Sequence, residues 1–298
     1  MARNLNPARA GRVARNVRGL GAVLTVACAC AACMPPEWGA EAILRPGRRA
    51  VESIPDVPYE DVSFTGVDGV DLRGWRFRGP GRPRGLLVYL HGISDNRQGG
   101  TGVAKRFGPK GWDVLAYDAR AHGASGGSAC TYGVLEKADL VRALDAVSAQ
   151  RVVLFGCSLG AAVALQAAPL DARIRGVIAQ SSFSSLAEVA RDRAPWFATA
   201  GEVDRALKIA GEKGRFDPVA ASPAAAARDV RVPVLLIHGE HDRETRADHS
   251  RRIDAALAGP KKLILVPGAG HDDTLRGDAV WTEIEDWLAA LDLGRGDR

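Results

Sequence analysis

The chain has 298 residues, of which 46% are hydrophobic, enough to bury a sizeable core in one α/β domain. Its formal net charge of +5 suggests nucleic-acid binding, but the excess is confined to the N-terminus. Residues 1–33 hold five arginines and no acidic residue, so the remainder carries 35 basic and 35 acidic residues. Because no basic stripe is left to follow a phosphate backbone, nucleic acid is excluded as a partner.

The basic N-terminus is followed by an uncharged apolar run of fifteen residues, 20–34. A positive start, a short apolar centre and small residues at the end are typical of a secretory signal peptide, whereas a transmembrane helix needs about 20 apolar residues. Three cysteines lie near the end of the run, as in a lipoprotein signal, but none has Leu, Val or Ile three positions earlier. We therefore expect residues 1–33 to be a signal peptide or lipoprotein-type segment of a secreted or cell-envelope protein. A lipid anchor, plain secretion and an uncleaved membrane anchor stay open.

A folded domain is predicted over residues 59–294, after a tether. Residues 34–58 are rich in Pro, Gly and Arg without periodicity, which is typical of a linker. Residues 62–65 and 70–77 then alternate in polarity on either side of Asp68-Gly69, which predicts a β-hairpin.

The rest of the domain alternates between two patterns. Nearly continuous apolar runs predict strands covered on both faces, and they span residues 85–90, 112–117, 151–155, 176–179, 234–237 and 263–266. Helical patterns lie between them, notably over residues 135–147, 250–257 and 280–291. The alternation predicts a mostly parallel central sheet with helices on both faces and functional groups at the carboxyl ends of the strands.

The strongest chemical signal is Gly156-Cys157-Ser158-Leu159-Gly160, a Gly-x-Ser-x-Gly pattern. It follows the apolar run 151–155 and precedes an alanine-rich helical pattern over 161–168. The two glycines would let strand and helix approach closely and project the hydroxyl of Ser158 outward as a nucleophile. A glycine-rich turn with an incidental serine is the alternative, and the flanking strand and helix argue against it.

Polar groups follow the later strand runs as well. His238-Gly239-Glu240-His241-Asp242 comes after residues 234–237, and Gly270-His271 comes after residues 263–266. A serine hydroxyl is a weak nucleophile near neutral pH, so it needs a base, and the base needs an acid that fixes its tautomer. These two segments supply candidates for both.

Five motifs together resemble those of the α/β-hydrolases of the serine aminopeptidase S33 and Bem46-like type. Besides the three above, they are His91-Gly92 and Tyr-Asp-Ala-Arg-Ala-His-Gly-Ala-Ser-Gly-Gly at 117–127. The resemblance covers about residues 59–291. It implies an α/β-hydrolase fold, with a mostly parallel sheet, an N-terminal antiparallel hairpin, helices on both faces and a small helical cap.

The same resemblance assigns roles to individual residues. Ser158 is implied as the nucleophile, His271 as the general base and then acid, and Asp242 as the orienting acid. The backbone N–H groups of Leu159 and Ile93 are implied as the oxyanion hole.

Other histidines are rivals for the base. His91, His122 and His238 lie in His-Gly turns, where a hydrogen-bonded structural role at a strand end is the favoured interpretation. His241 and His249 are predicted on solvated surface, in a loop and a helix.

Other carboxylates are rivals for the acid. Glu240 lies on the same loop as Asp242, but the family's His-Gly-x-x-Asp pattern falls on Asp242. Asp272 and Asp273 adjoin the base in sequence, which disfavours them. Asp118 is interpreted as a structural acid in a turn.

Residues 182–231 do not continue the alternation, and they are interpreted as a cap over the active site. An ordinary crossover enlarged by insertion is the alternative. If the segment is a cap, Phe183, Trp196 and Phe197 shape the substrate pocket.

The sequence therefore predicts a serine hydrolase that cleaves an ester, thioester or amide bond of a small-molecule or acylated substrate, with no metal or organic cofactor. Only Cys130 and Cys157 follow the N-terminal segment, and two cysteines do not make a disulfide framework. Neither is spaced from a histidine as the ligands of a metal site are. A catalytically silent binding protein of the same fold at the cell envelope is the alternative. The sequence does not indicate which oligomeric state the protein adopts.

Overall fold

The computed structural model describes residues 35–291 and 293. The predicted signal or lipoprotein segment, residues 1–33, lies outside the described residues. Within the described part of the chain, no helix is both long enough and apolar enough to cross a membrane.

An eight-stranded sheet forms the centre of the domain, in the order β1-β2-β4-β3-β5-β6-β7-β8. Strand β1 is antiparallel to β2, and β2 is antiparallel to β4, whereas all the other neighbours are parallel. This confirms the predicted hairpin and parallel sheet. The strands are β1 Glu60–Thr65, β2 Asp71–Phe77, β3 Leu86–Leu90, β4 Asp113–Tyr117, β5 Val152–Cys157, β6 Ile174–Gln180, β7 Val234–Gly239 and β8 Lys261–Val266.

Helices cover both faces of the sheet, which explains the continuous apolar strand sequences. In β3, for example, Leu86 and Val88 point into one core and Leu87 into the other. The helices are α1 Pro36–Leu44, α2 Gly99–Phe107, α3 Glu136–Ala146, α4 Leu159–Ala167, α5 Leu186–Arg193, α6 Ala200–Gly214, α7 Pro223–Ala227, α8 Asp248–Ala256 and α9 Asp278–Ala290.

Helix α1 lies within the predicted tether and is folded against the domain. Ala40 and Leu44 are buried in the core, and the carbonyl of Leu44 accepts a hydrogen bond of 2.8 Å from the amide of Cys130. Lys213 of α6 lies 2.8 Å from Glu41. An isolated helix of this length is marginal, so its stability comes from tertiary contacts that no local pattern reveals.

Residues 45–58 also contact the domain instead of forming a free linker. Arg48 donates a hydrogen bond of 2.7 Å to the carbonyl of Ser125, and the side-chain amide of Asn96 donates to the carbonyl of Ala50 at 3.0 Å. The chain therefore runs along the ends of β3 and β4 before it enters the sheet.

Three helices, α5, α6 and α7, occupy the predicted cap segment between β6 and β7. Helix α6 begins with a capping box in which Thr199 and Glu202 satisfy each other's backbone amides. Helices α5 and α6 border a cavity that reaches Ser158, so this segment covers the carboxyl ends of the central strands.

Candidate active site

Ser158 occupies the sharp turn between β5 and α4. Its backbone angles are φ 51° and ψ −110°, which is a strained conformation for a residue with a side chain. A Cβ atom on Gly156 would lie 2.3 Å from the carbonyl oxygen of Gly160, and one on Gly160 would lie 2.0 Å from the carbonyl oxygen of Leu90. Both glycines are therefore required by the close approach of strand and helix, as the sequence predicts.

Ser158, His271 and Asp242 come together from three loops at the carboxyl ends of β5, β8 and β7. The Oγ atom of Ser158 lies 3.0 Å from Nε2 of His271. The Nδ1 atom of His271 lies 2.6 Å from Oδ2 of Asp242. This is the arrangement in which a base contacts a nucleophile and is held by an acid.

Asp242 is buried and held by several donors. Its Oδ1 atom accepts hydrogen bonds of 2.9 Å from the amides of Glu244 and Thr245, while Oδ2 faces His271 and, at 3.2 Å, Nε2 of His238. Burial alone would raise the pKa of Asp242, but the hydrogen bonds from His238, His271 and Thr245 hold it well below its usual range. The carboxylate is therefore ionised at neutral pH and can accept a hydrogen bond from Nδ1 of His271, which leaves Nε2 facing the hydroxyl of Ser158.

His238 contributes to this site in a way that the sequence interpretation missed. Its Nδ1 atom lies 2.6 Å from Oγ of Ser250 on α8, and its Nε2 atom lies 2.7 Å from the carbonyl of Thr245. The Nε2–H group is thus shared between Thr245 and Asp242. The sequence did contain a signal for this contact. His238 lies at the end of β7, four residues before Asp242, so both side chains are expected at the same edge of the sheet.

The remaining strand-end histidines have structural contacts. His91 lies 2.7 Å through Nδ1 from the carbonyl of Gly92, and its Nε2 accepts a hydrogen bond of 2.9 Å from the amide of Ala119. The ring of His122 packs 5.0 Å from that of His91, and Nδ1 of His122 lies 2.9 Å from the carbonyl of Arg120. Burial lowers the pKa of His91, and burial together with the neighbouring His91 lowers that of His122 to about 4. Neither ring forms a hydrogen bond with Ser158, which is bonded to His271.

Two of the rival acids have other surroundings: Glu240 is exposed, and Asp273 pairs with Arg276 at 2.8 Å. His241, a rival for the base, is exposed, as predicted. Asp118 is fully buried and accepts hydrogen bonds of 2.7 Å from the backbone and the guanidinium of Arg97, a structural role.

The prediction for His249 is wrong, because this side chain is buried and not solvated. Its Nδ1 atom lies 2.6 Å from Oγ of Ser184, and its Nε2 atom lies 3.0 Å from Oδ2 of Asp192. Burial lowers its pKa, although Asp192 opposes this effect. Ser184 is itself fully buried, so the group joins α8 to the cap helix α5 and offers no surface to a substrate.

The two residues predicted to form the oxyanion hole lie beside Ser158. Leu159 is the first residue of α4, so its amide has no acceptor within the helix. The loop that carries Ile93 also lies close, because a Cβ atom on Gly92 would be 3.6 Å from Cβ of Ser158. Ile93 and Leu159 both border the cavity that reaches Ser158.

This cavity has a volume of about 370 Å³. Of the predicted pocket residues, Phe183 and Phe197 line it. Trp196 does not, and its side chain is 94% exposed. It follows Pro195 in the loop between α5 and α6, where its ring contacts Phe197 at 5.7 Å but is covered by little else.

Comparisons with known proteins agree with this architecture. Residues 85–218 match the family model described as alpha/beta hydrolase fold. The chain is 32% identical over 220 residues to the uncharacterized protein Rv2307c of Mycobacterium tuberculosis, covering 72% of each chain. It is 28% identical over 242 residues to the uncharacterized protein YfhR of Escherichia coli K12, covering 77% of this chain and 80% of that protein.

Among solved structures, an esterase of Pyrococcus furiosus superposes with a TM-score of 0.69 at 22% identity, covering 85% of this chain and 99% of the esterase. At this identity the likeness concerns the fold. Sheet order, family model and relatives lead to one assignment: the chain belongs to the α/β-hydrolase fold family.

Proposed function

We propose that this protein is a serine hydrolase that cleaves an ester, thioester or amide bond through an acyl-enzyme on Ser158. The observation that carries the proposal is the pair of contacts from Ser158 to His271, at 3.0 Å, and from His271 to Asp242, at 2.6 Å. The strained backbone of Ser158 supports it, because such strain is retained at functional sites.

The geometry suggests the following sequence of proton transfers. As Oγ of Ser158 attacks the substrate carbonyl, Nε2 of His271 accepts the hydroxyl proton, and the ionised Asp242 stabilises the imidazolium. The amides of Leu159 and Ile93 donate to the oxygen that becomes negative in the tetrahedral intermediate. The imidazolium then returns the proton to the leaving group as the bond to it breaks.

The second half repeats these steps with water. His271 accepts a proton from the attacking water, the ester bond to Ser158 breaks, and the proton passes to Oγ. The products are a free acid, the leaving alcohol, thiol or amine, and the original enzyme.

We extend the proposal to subtype and location on sequence grounds. The His-Gly and Gly-x-Ser-x-Gly motifs, with the His-Gly-x-x-Asp loop, favour the S33 and Bem46-like type. The arginine-rich start and the apolar run of residues 20–34 favour the cell envelope or secretion, with attachment through the N-terminus as one form.

A fluorophosphonate probe tests the nucleophile. The wild-type protein is expected to be labelled and to hydrolyse p-nitrophenyl esters, whereas Ser158→Ala loses both properties. Ser128→Ala, an exposed serine, is the matched control and keeps both. Labelling of wild type and Ser158→Ala to the same extent would refute the proposal. Absence of labelling in both would favour the silent binding protein.

A further inference from the structure

The cavity at Ser158 is lined mostly by apolar side chains. Besides residues of α1, they include Phe183, Leu186, Val189, Val203 and Ala206 from the segment that holds α5 and α6. Its volume of about 370 Å³ falls within the range of roughly 300–1,000 Å³ of small-molecule sites. Such a lining binds a hydrocarbon group through the hydrophobic effect.

The two charged side chains that line the cavity are already engaged. The carboxylate of Glu202 accepts hydrogen bonds from the amide of Thr199 at 2.8 Å and from its hydroxyl at 2.7 Å. The guanidinium of Arg193 donates to the carbonyl of Glu244 at 3.1 Å and to Oγ1 of Thr245 at 3.0 Å. These hydrogen bonds hold both charged groups to neighbouring parts of the protein, and the other side chains that line the cavity are uncharged.

Helix α1 supplies one wall of this cavity, although it lies outside the sheet and its crossovers. Trp38, Gly39, Ala42 and Ile43 line the cavity. At 100° per residue they occupy one side of the helix, while Ala40 and Leu44 occupy the next and are buried in the core. The remaining side carries Glu37, Glu41 and Arg45.

The wall is fixed in position by close helix packing. A Cβ atom on Gly39 would lie 3.0 Å from Cβ of Ala206 on α6, so the two helices pack closely at this point. The ion pair between Glu41 and Lys213 and the buried side chain of Leu44 hold the other end. The fold therefore holds this wall of the cavity in position.

We propose that this cavity binds an aliphatic chain of the substrate and that α1 sets the length of chain accepted. The inference rests on the proposed function, since the chain must be attached at the bond that Ser158 attacks. Each methylene removed from water contributes about 0.8 kcal/mol, which corresponds to about fourfold in kcat/KM when it is realised in the transition state.

The test is a chain-length profile of kcat/KM. One arm uses p-nitrophenyl esters with acyl chains of increasing length, and the other uses acetate esters of alcohols of increasing length. A rise of about fifteenfold for every two methylenes, followed by a plateau or fall, is expected in one arm. The responding arm shows whether the acyl group or the leaving group occupies the cavity. A flat profile in both arms would overturn the proposal.

Variants of α1 test its role as the wall. Ala42→Phe adds bulk on the cavity side and is expected to shift the longest accepted chain to shorter lengths. Glu37→Phe adds the same group on the charged side and is the matched control, with an unchanged profile. Ala190→Phe, on α5, adds bulk to the cavity from the other wall. A response to Ala190→Phe without one to Ala42→Phe or to Ile43→Ala would overturn the assignment of α1.

Binding without turnover separates this inference from the proposed function. Ser158→Ala protein is expected to bind the fluorescent fatty acid cis-parinaric acid, and Ala190→Phe in the same background is expected to weaken binding at least tenfold. If the fluorophosphonate probe fails but this binding is found, the hydrolase proposal fails alone. If the probe labels Ser158 but neither binding nor chain-length dependence is found, the cavity proposal fails alone.

Discussion

Replacement of His238 by leucine is the sharpest test of how Asp242 is held in position. The change removes a hydrogen-bond donor to Asp242 and leaves Ser158 and His271 unchanged. Four donors face the Asp242 carboxylate: Nδ1 of His271 at 2.6 Å, the amides of Glu244 and Thr245 at 2.9 Å, and Nε2 of His238 at 3.2 Å. The contact from His238 is the longest and is shared with the carbonyl of Thr245.

The size of the effect follows from that geometry. A hydrogen bond to a charged group contributes about 1.5–3 kcal/mol, and a long, shared one belongs at the lower end of that range. We therefore expect His238→Leu to lower kcat about tenfold, because Asp242 loses part of what orients it towards His271. KM should change less than twofold, since His238 does not line the cavity.

The assay is steady-state hydrolysis of a p-nitrophenyl ester, with the thermal midpoint of each variant measured in parallel. His238→Gln keeps a side-chain N–H donor and should recover part of the lost kcat. Unchanged kcat in a folded His238→Leu protein would refute the positioning role. A rise in KM as large as the fall in kcat would do so too.

Three further predictions concern stability. Gly160→Ala should destabilise the protein by more than about 3 kcal/mol in urea unfolding, because the new Cβ atom would lie 2.0 Å from the carbonyl oxygen of Leu90; a loss below 1 kcal/mol would contradict that contact. Burial and the neighbouring His91 lower the pKa of His122 from 6.5 to about 4, so the unfolded chain binds a proton there that the folded chain does not. Up to about 3 kcal/mol of the free energy of unfolding should be lost as the pH falls from 6.5 to about 4. The urea midpoint of His122→Gln should therefore fall less between pH 7 and pH 4.5 than that of the wild type. Asp139→Leu should lower the free energy of unfolding by about 3–5 kcal/mol, because it leaves Arg120 buried without its partner. In the wild type Arg120 contacts the two carboxylate oxygens of Asp139 at 2.7 and 2.8 Å. Equal thermal midpoints for the variant and the wild type would argue against this prediction.

The sequence predicts two kinds of feature well: those that depend on neighbouring residues, and those that follow from the order of the parallel strands. Strands covered on both faces leave continuous apolar runs, and Gly156 and Gly160 mark the turn because any larger residue would collide with backbone. The proximity of Asp242 and His271 to Ser158 was predictable because the carboxyl ends of parallel strands lie on one edge of the sheet, so residues after β7 and β8 meet Ser158.

The features that the sequence does not predict depend on contacts between distant segments. Helix α1 is short, and it gains its stability from contacts with α6, far along the chain. Its sequence alone therefore could not be distinguished from that of a linker. His249 stands in a polar helix, and only the fold brings Ser184 and Asp192 to it. Trp196 has the character of a pocket residue, but the direction of a side chain in a loop is set by its neighbours and not by its type.

The central claim is that Ser158 forms the acyl-enzyme, and one measurement addresses it directly. The protein is mixed with a p-nitrophenyl ester, quenched in acid within the first turnover, digested and mapped by mass spectrometry. We expect the acyl group on the peptide that contains Ser158, and none in His271→Ala treated in the same way. An adduct on another residue, or an equal adduct in His271→Ala, would contradict the account.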